Sequence, residues 1–349
     1  MFKSQRETGH VPVPWTHSNS PENMIWPEGH FCGNVVSMLR KFLKPVAVVS
    51  LLLIIQTGLV GQNGTSNSAP QIAFTFDDLP VHGPLPLGET RLQVITKIIA
   101  ALKNAHLPPI YGFVNGKWTE TEPDDIAVLR AWHDAGNPLG NHTWSHMNLN
   151  QNKLEDFEAE ITHNEPLLSS LMKNEDWHWL RFPFLAEGDT PEKKNGIRAF
   201  LAQHGYRIAG VTMSFGDYLW NEPYARCKMK SDEKSVAVLE NTYLQAAKDT
   251  TDYSREMSHR LYNRDIPYVL LMHIGAFDAE MLPQLLEVYR QKGFRFVTLK
   301  QAEKDQFYEN DVKPELPSSP DSLEQAMAAR GLALPLHPSP NPAPDSLCR

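Results

Sequence analysis

Cysteine is scarce in this chain. The 349 residues include three, Cys32, Cys227 and Cys348; none forms a C-x-x-C pair, and Cys348 lies next to the end of a Pro-rich tail. That pattern argues against a disulfide framework and against a cysteine-ligated zinc site. A basic surplus is missing too. Lys and Arg number 33 against 41 Asp and Glu, a net charge of −8, so there is no basic stripe and nucleic acid is not an expected partner. No internal repeat is evident. The main apolar run, Val46 to Ile55, is too short for a comfortable membrane span of about 20 residues. What is present is a hydrophobic content of 41% with 21% charged residues, enough for a globular core and incompatible with wholesale disorder.

The two ends differ from the middle. Residues 1–37 carry Pro, His and Trp without periodicity and indicate no fold. In Met38 to Val60, basic Arg40, Lys41 and Lys44 precede the apolar run, and polar Gln62 to Ser68 follow it. This is the layout of a secretory signal over residues 38–61, although the small-residue cleavage pattern around Gly58 and Gly61 is imperfect; a retained anchor over residues 45–60 is the alternative. The expectation is an exported protein, periplasmic or extracellular, touching a membrane only through this segment. Translation is expected to begin at Met38, and residues 62–70 read as a linker. Beyond Asp311, KPELPSSPDS and LPLHPSPNPAPDS are Pro/Ser-rich, so residues 311–349 should lack packed structure apart from a short helix at Ser322 to Ala329.

From Gln71 onward, strand and helix patterns alternate. Strands are expected at Gln71 to Pro80, Ile110 to Val114, Leu139 to His142, Trp179 to Phe182, Arg207 to Met213, Tyr268 to His273 and Phe294 to Leu299. Helices fall between them, the longest over Asp232 to Tyr262. The repetition predicts parallel βαβ units in one α/β domain over residues 71–310, built as a distorted (β/α) barrel rather than a doubly wound sheet.

The first of these strands organises the chemistry. In QIAFTFDDLP, Ile72, Phe74 and Phe76 alternate with Ala73 and Thr75, as in a strand buried on both faces, and Asp77 and Asp78 follow where it emerges. Adjacent buried acids repel each other and are costly to desolvate, which a bound cation offsets. Asp-Asp-x-Pro is also ordinary turn chemistry. The second signal is GNHTWSHM, where His142 and His146 are four residues apart and would share a face if Thr143 began a helical turn. Two imidazoles and a carboxylate are a common ligand set for a divalent transition metal.

TFDDLP, HTWSH, RFPF, SFGDYLW and LLMH occur in the order and approximate spacing of the polysaccharide deacetylases, carbohydrate esterase family 4. The resemblance covers about Gln71 to Leu299. It implies a distorted (β/α) barrel with the site at the strand C-terminal ends, and hydrolysis of N-acetyl groups on an amino-sugar polymer or oligomer, peptidoglycan-like or chitin-like. It implies Asp77 as general base, and Asp78, His142 and His146 as ligands of a divalent metal, normally zinc, with cobalt possible. Arg181 would hold the base ionised and oriented, Asp217 would steady that arginine, and His273 would be the general acid, titrating near working pH. The backbone N–H of Phe184 would complete an oxyanion site.

This sequence departs from the family pattern at several places. Leu79 replaces a usual Gly and is expected to narrow or reshape its loop. Phe184 replaces a usual Tyr. Ser214 stands for the family's first acid in SFGDYLW, and Tyr218 for its tryptophan unless Trp220 takes that place. Tyr218 and Trp220 are candidates for a sugar-stacking platform, with burial in the core as the alternative. His82 is a candidate substrate contact or a solvated loop residue, and Asn115 a candidate pocket residue by position alone. His106, His133, His163, His178, His204 and His259 form no constellation. Two rival functions remain: a catalytically silent glycan-binding protein, which would be expected to have lost Asp77 or His273, and a non-haem iron oxygenase, which needs no second acid beside the ligand.

Overall fold

A computed structural model describes residues 69–122 and 124–349. The N-terminal stretch, the signal or anchor reading and nearly all of the linker lie outside the described residues.

The strands are β1 (Gln71–Leu79), β2 (Tyr111–Val114), β3 (Leu139–Asn141), β4 (Trp179–Leu180), β5 (Arg207–Ile208), β6 (Tyr268–His273) and β7 (Arg295–Phe296). The longer helices are α1 (Arg91–Asn104), α3 (Asp125–Asp134), α4 (Leu154–Met172), α5 (Pro191–Gln203), α6 (Asn221–Met229), α7 (Glu233–Tyr262) and α8 (Ala276–Gln291). Shorter ones are α2 (Trp118–Thr121), α9 (Leu299–Ala302), α10 (Glu309–Val312) and α11 (Leu323–Ala329).

All strands run parallel in one seven-stranded sheet, ordered β5-β4-β3-β2-β1-β6, with β7 beside the start of β1. The chain after β5 carries the curl further. Ala209 N–H donates to Leu180 C=O at 2.8 Å, and Leu271 N–H donates to Met213 C=O at 3.0 Å. One short stretch thus pairs with β4 at its start and β6 at its end, giving the distorted α/β barrel the alternating pattern predicts.

β1 is central, and apart from Gln71 all its residues are buried, which explains its apolar character on both faces. α1 and α8 pack against each other and α1 also meets α3. Local signals set several boundaries: Thr90 and Gln93 form a capping box on α1, Thr190 caps α5 ahead of Pro191, and Asp232 caps α7. The last strand is shorter than expected because Thr298 and Gln301 form a capping box that starts α9 at Leu299. Leu79 does not crowd a loop. It is fully buried in the core at the end of β1, its methyls 2.9 and 3.0 Å from where a Cβ on Gly112 would stand.

The Pro/Ser-rich tail carries the expected short helix as α11, and, contrary to expectation, the residues beyond it are fastened to the domain as well. Leu323, Ala326 and Met327 of α11 are buried, and α11 packs on α7. His337 hydrogen-bonds Thr250, Arg226 donates to Asp345, and Cys348 is disulfide-bonded to Cys227 across 121 residues. One short apolar helix face, a histidine, an aspartate and one cysteine fasten the tail. Low cysteine content excluded a framework of bridges, but it did not exclude a single one.

Candidate metal centre

Parallel strands deliver their C-terminal ends to one rim. β1 brings Asp77 and Asp78, β3 leads into His142, β4 leads into Arg181, and β6 ends on His273, which pairs in register with Asp77. The residues expected to form a site therefore converge, with the exceptions noted below.

Asp77 and Asp78 are 2% and 8% exposed. Asp78 Oδ1 lies 3.3 Å from Nε2 of both His142 and His146, and it is buried without a hydrogen-bond partner. His142 Nδ1–H donates to the Arg181 carbonyl at 2.7 Å, so in the neutral ring the lone pair falls on Nε2 and faces Asp78. Burial, followed by the charge of His142, pushes the His146 imidazole down to about 4. Burial works to raise the Asp78 carboxyl, but the imidazoles of His142, His82 and His146 hold it well below the usual carboxylate range. The ligand atoms of Asp78, His142 and His146 lie within 4.8 Å of one another, close enough to hold one cation between them. The two 3.3 Å separations from Asp78 Oδ1 match a tetrahedral centre, since ligand bonds of about 2.0–2.1 Å at that angle place donor atoms roughly 3.3 Å apart. Asp78, His142 and His146 therefore fit a divalent metal.

The two histidines meet by a different route from the one expected. No helical turn links them. Thr143 and His146 adopt positive φ, 64° and 60°, in an irregular loop, and the rings lie 4.9 Å apart. Positive φ at a β-branched residue is costly unless the surroundings impose it. Buried asparagines do so here. Asn141 Oδ1 accepts from Thr143 N–H at 2.9 Å, and Asn115 Nδ2 donates to His142 C=O at 2.6 Å. Asn164 Nδ2 donates to Asn141 Oδ1 at 3.0 Å. Asn115 thus supports the ligand loop rather than lining a pocket. Asn141 and Asn164 were missed. The only signal for Asn141 is its place immediately before His142, and Asn164 sits on α4, where nothing in the sequence marks it.

Arg181 is fully buried, its guanidinium 4.7 Å from the Phe113 ring centroid. It donates through Nη1 to Asp77 Oδ1 at 3.0 Å and Oδ2 at 3.3 Å, through Nη2 to Thr75 at 3.1 Å, and through Nε to the Ala209 carbonyl at 2.8 Å. Asp217 is not its partner. That carboxylate instead accepts from His273, Nδ1–H to Oδ1 at 2.9 Å and backbone N–H to Oδ2 at 2.6 Å. The reason is topological: Asp217 follows the segment that joins β6, so it reaches the end of β6 and not β4. Burial acts to lower the His273 imidazole, but the Asp217 charge and hydrogen bond raise it to about 10, above the near-neutral value expected.

Phe184, at φ 59°, exposes its ring beside His146 at 4.5 Å, and Tyr218 is exposed 5.1 Å from the His273 ring. Trp220 is not a platform. It is fully buried, donating Nε1–H to Thr242, with its ring packed on Tyr243. His82 is no free loop residue either, because its Nδ1 lies 2.5 Å from Asp78 Oδ2.

Residues 64–209 match the family model of polysaccharide deacetylases. Asp217 and His273 lie beyond the matched stretch and rest on motif and geometry. A comparison with curated proteins finds no match. Among solved structures, the chain is similar to the chitin deacetylase of the fungal pathogen Colletotrichum lindemuthianum, with 20% identity over 68% of this chain and 88% of that one, TM-score 0.47. It is also similar to the peptidoglycan deacetylase PdaC of Bacillus subtilis, with 18% identity over 68% and 91%, TM-score 0.43. A third likeness is to a carbohydrate esterase family 4 pseudoenzyme of Bacillus anthracis, with 14% identity over 67% and 65%, TM-score 0.46.

Proposed function

We propose that this protein is a metal-dependent hydrolase that removes N-acetyl groups from an amino-sugar polymer or oligomer of peptidoglycan or chitin type. The observation that carries the reading is the orphaned Asp78 Oδ1 facing two imidazole Nε2 atoms, with a second acid, Asp77, held beside it and not among those three ligands. Zinc is the proposed metal and cobalt a competent substitute. When bound, the metal supplies a Lewis acid that brings the pKa of water towards neutrality. Asp77, gripped by Arg181, takes the proton from the attacking water. The Phe184 backbone N–H is the proposed donor to the developing oxyanion. His273, protonated against Asp217, gives its proton to the leaving nitrogen, and Tyr218 and Phe184 border the substrate. Two features support export: the basic-apolar layout of residues 38–61, and the Cys227–Cys348 disulfide, a bond that persists in oxidising compartments.

The test is acetate release from N-acetylglucosamine oligomers by purified protein. Release is expected, with loss on chelation and recovery with zinc or cobalt. Asp77→Asn is expected to keep the metal and lose turnover; full rate in that variant removes the base assignment. Glycan binding without acetate release by the metal-loaded protein would identify a silent binder instead.

A further inference from the structure

His82 lies four residues after Asp78, and none of the motifs gives it a role. Its Nδ1 is 2.5 Å from Asp78 Oδ2, and because a carboxylate has no proton to give, Nδ1–H is the donor. That distance is too short for two ligands of one metal, whose donor atoms stand roughly 3.3 Å apart around a tetrahedral centre. The two carboxylate oxygens therefore do different things. Oδ2 is closed off by His82, and Oδ1 is left to face His142 and His146.

Nothing else on β1 fixes that carboxylate. Asp78 sits at φ 62° where the pairing with β2 is irregular between Phe76 and Leu79, so regular strand geometry does not aim it. His82, by contrast, is fastened at both ends. Its backbone N–H donates to the Ile274 carbonyl at 2.7 Å, and its ring packs against His273 at 4.8 Å and Tyr218 at 5.6 Å.

We propose that His82 is a positioning residue: by donating to Oδ2 it holds Asp78 as a one-oxygen ligand, with Oδ1 directed to the metal. The inference rests on the metal-centre reading above. Histidine–carboxylate contacts behind a ligand change metal affinity by roughly 10–100-fold.

The experiment uses the full chain, stripped with chelator and titrated with Co2+, following affinity and the visible spectrum, which responds to coordination number. His82→Phe keeps a ring against Tyr218 and His273 but removes the donor. His82→Asn removes the ring but keeps an N–H donor at the same number of bonds from Cα. His142→Ala serves as the ligand-loss control, and circular dichroism verifies folding. His82→Phe is expected to bind Co2+ roughly 10–100-fold more weakly with an altered spectrum, and His82→Asn to stay near wild type in both. Unchanged affinity and spectrum in His82→Phe would overturn the proposal. Loss of binding in His82→Phe as complete as in His142→Ala would overturn it too, because His82 would then be a ligand. A wild type that binds no Co2+ removes the metal centre itself, an outcome separate from either of these.

Discussion

Asp217→Asn is the most informative single change. In the metal-free protein, Asp217 balances a buried imidazolium on His273 and raises its pKa from 6.5 to about 10 against the opposing effect of burial. The sign of the linkage follows. A raised histidine stabilises the fold fully below pH 6.5, and the contribution is lost as pH rises through about 10. The span is 10 − 6.5 = 3.5 pH units, and at about 1.36 kcal/mol per unit the full contribution is on the order of 5 kcal/mol. Asn preserves shape and an acceptor for the His273 backbone N–H but cannot balance a cation, so burial then favours the neutral ring. Asp278, which burial and the Asp217 charge push well above the usual carboxylate range, acts with the same sign and is relieved by the same substitution. The assay is urea unfolding of chelator-treated wild type and variant from pH 6 to 10. The stability difference between them is expected to fall by several kcal/mol across that window. Parallel profiles would refute the account, because they would mean that the Asp217 charge does not hold the His273 proton.

Three further outcomes are expected. Arg181→Met strands the buried Asp77 charge and should cost about 3–5 kcal/mol in urea unfolding, with turnover lost even under conditions where the variant stays folded. Trp220→Ala should cost about 3–5 kcal/mol as a core cavity, whereas Tyr218→Ala should change stability by no more than about 0.5 kcal/mol and raise KM for glycan oligomers. Cys348→Ser, or reduction of the wild type, should cost about 3–5 kcal/mol, as expected for a bridge closing a loop of 121 residues; an unchanged unfolding midpoint would show that the tail is not fastened through that bond.

The sequence made the rim legible because strand ends are marked by abrupt changes of character. Phe76 gives way to Asp77 and Asp78, and Met272 to His273, and neither change needs tertiary knowledge to be seen. Partnership across the barrel was less legible. Asp217 pairs with His273 and not with Arg181 because the segment before it crosses to β6, which no local pattern records. The four-residue spacing groups His142 and His146 through a helical turn. The grouping holds, but through a loop held by Asn115, Asn141 and Asn164, residues whose amides are indistinguishable in sequence from surface polar groups. Trp220 against Tyr218 shows the same limit, since both aromatics lie on one short turn and only packing decides which is buried. The helix at Leu323–Ala329 is legible from apolar spacing, but beyond it the composition resembles that of a free segment, and the anchors His337 and Cys348 are single residues that no pattern marks.

The seam formed after β5 has a consequence for the proposed chemistry. The carbonyl that receives Arg181 Nε belongs to Ala209, in the short stretch whose neighbouring backbone groups join β4 to β6. If that joint breathes, the guanidinium loses an anchor and Asp77 loses its orientation, while Asn115 and Asn141 still hold the loop carrying His142 and His146. A protein loosened there, by mutation or by heat, would still take up its cation yet turn over slowly. In amide hydrogen exchange, protection of Ala209 and Leu271 would then track the rate of deacetylation more closely than metal occupancy does.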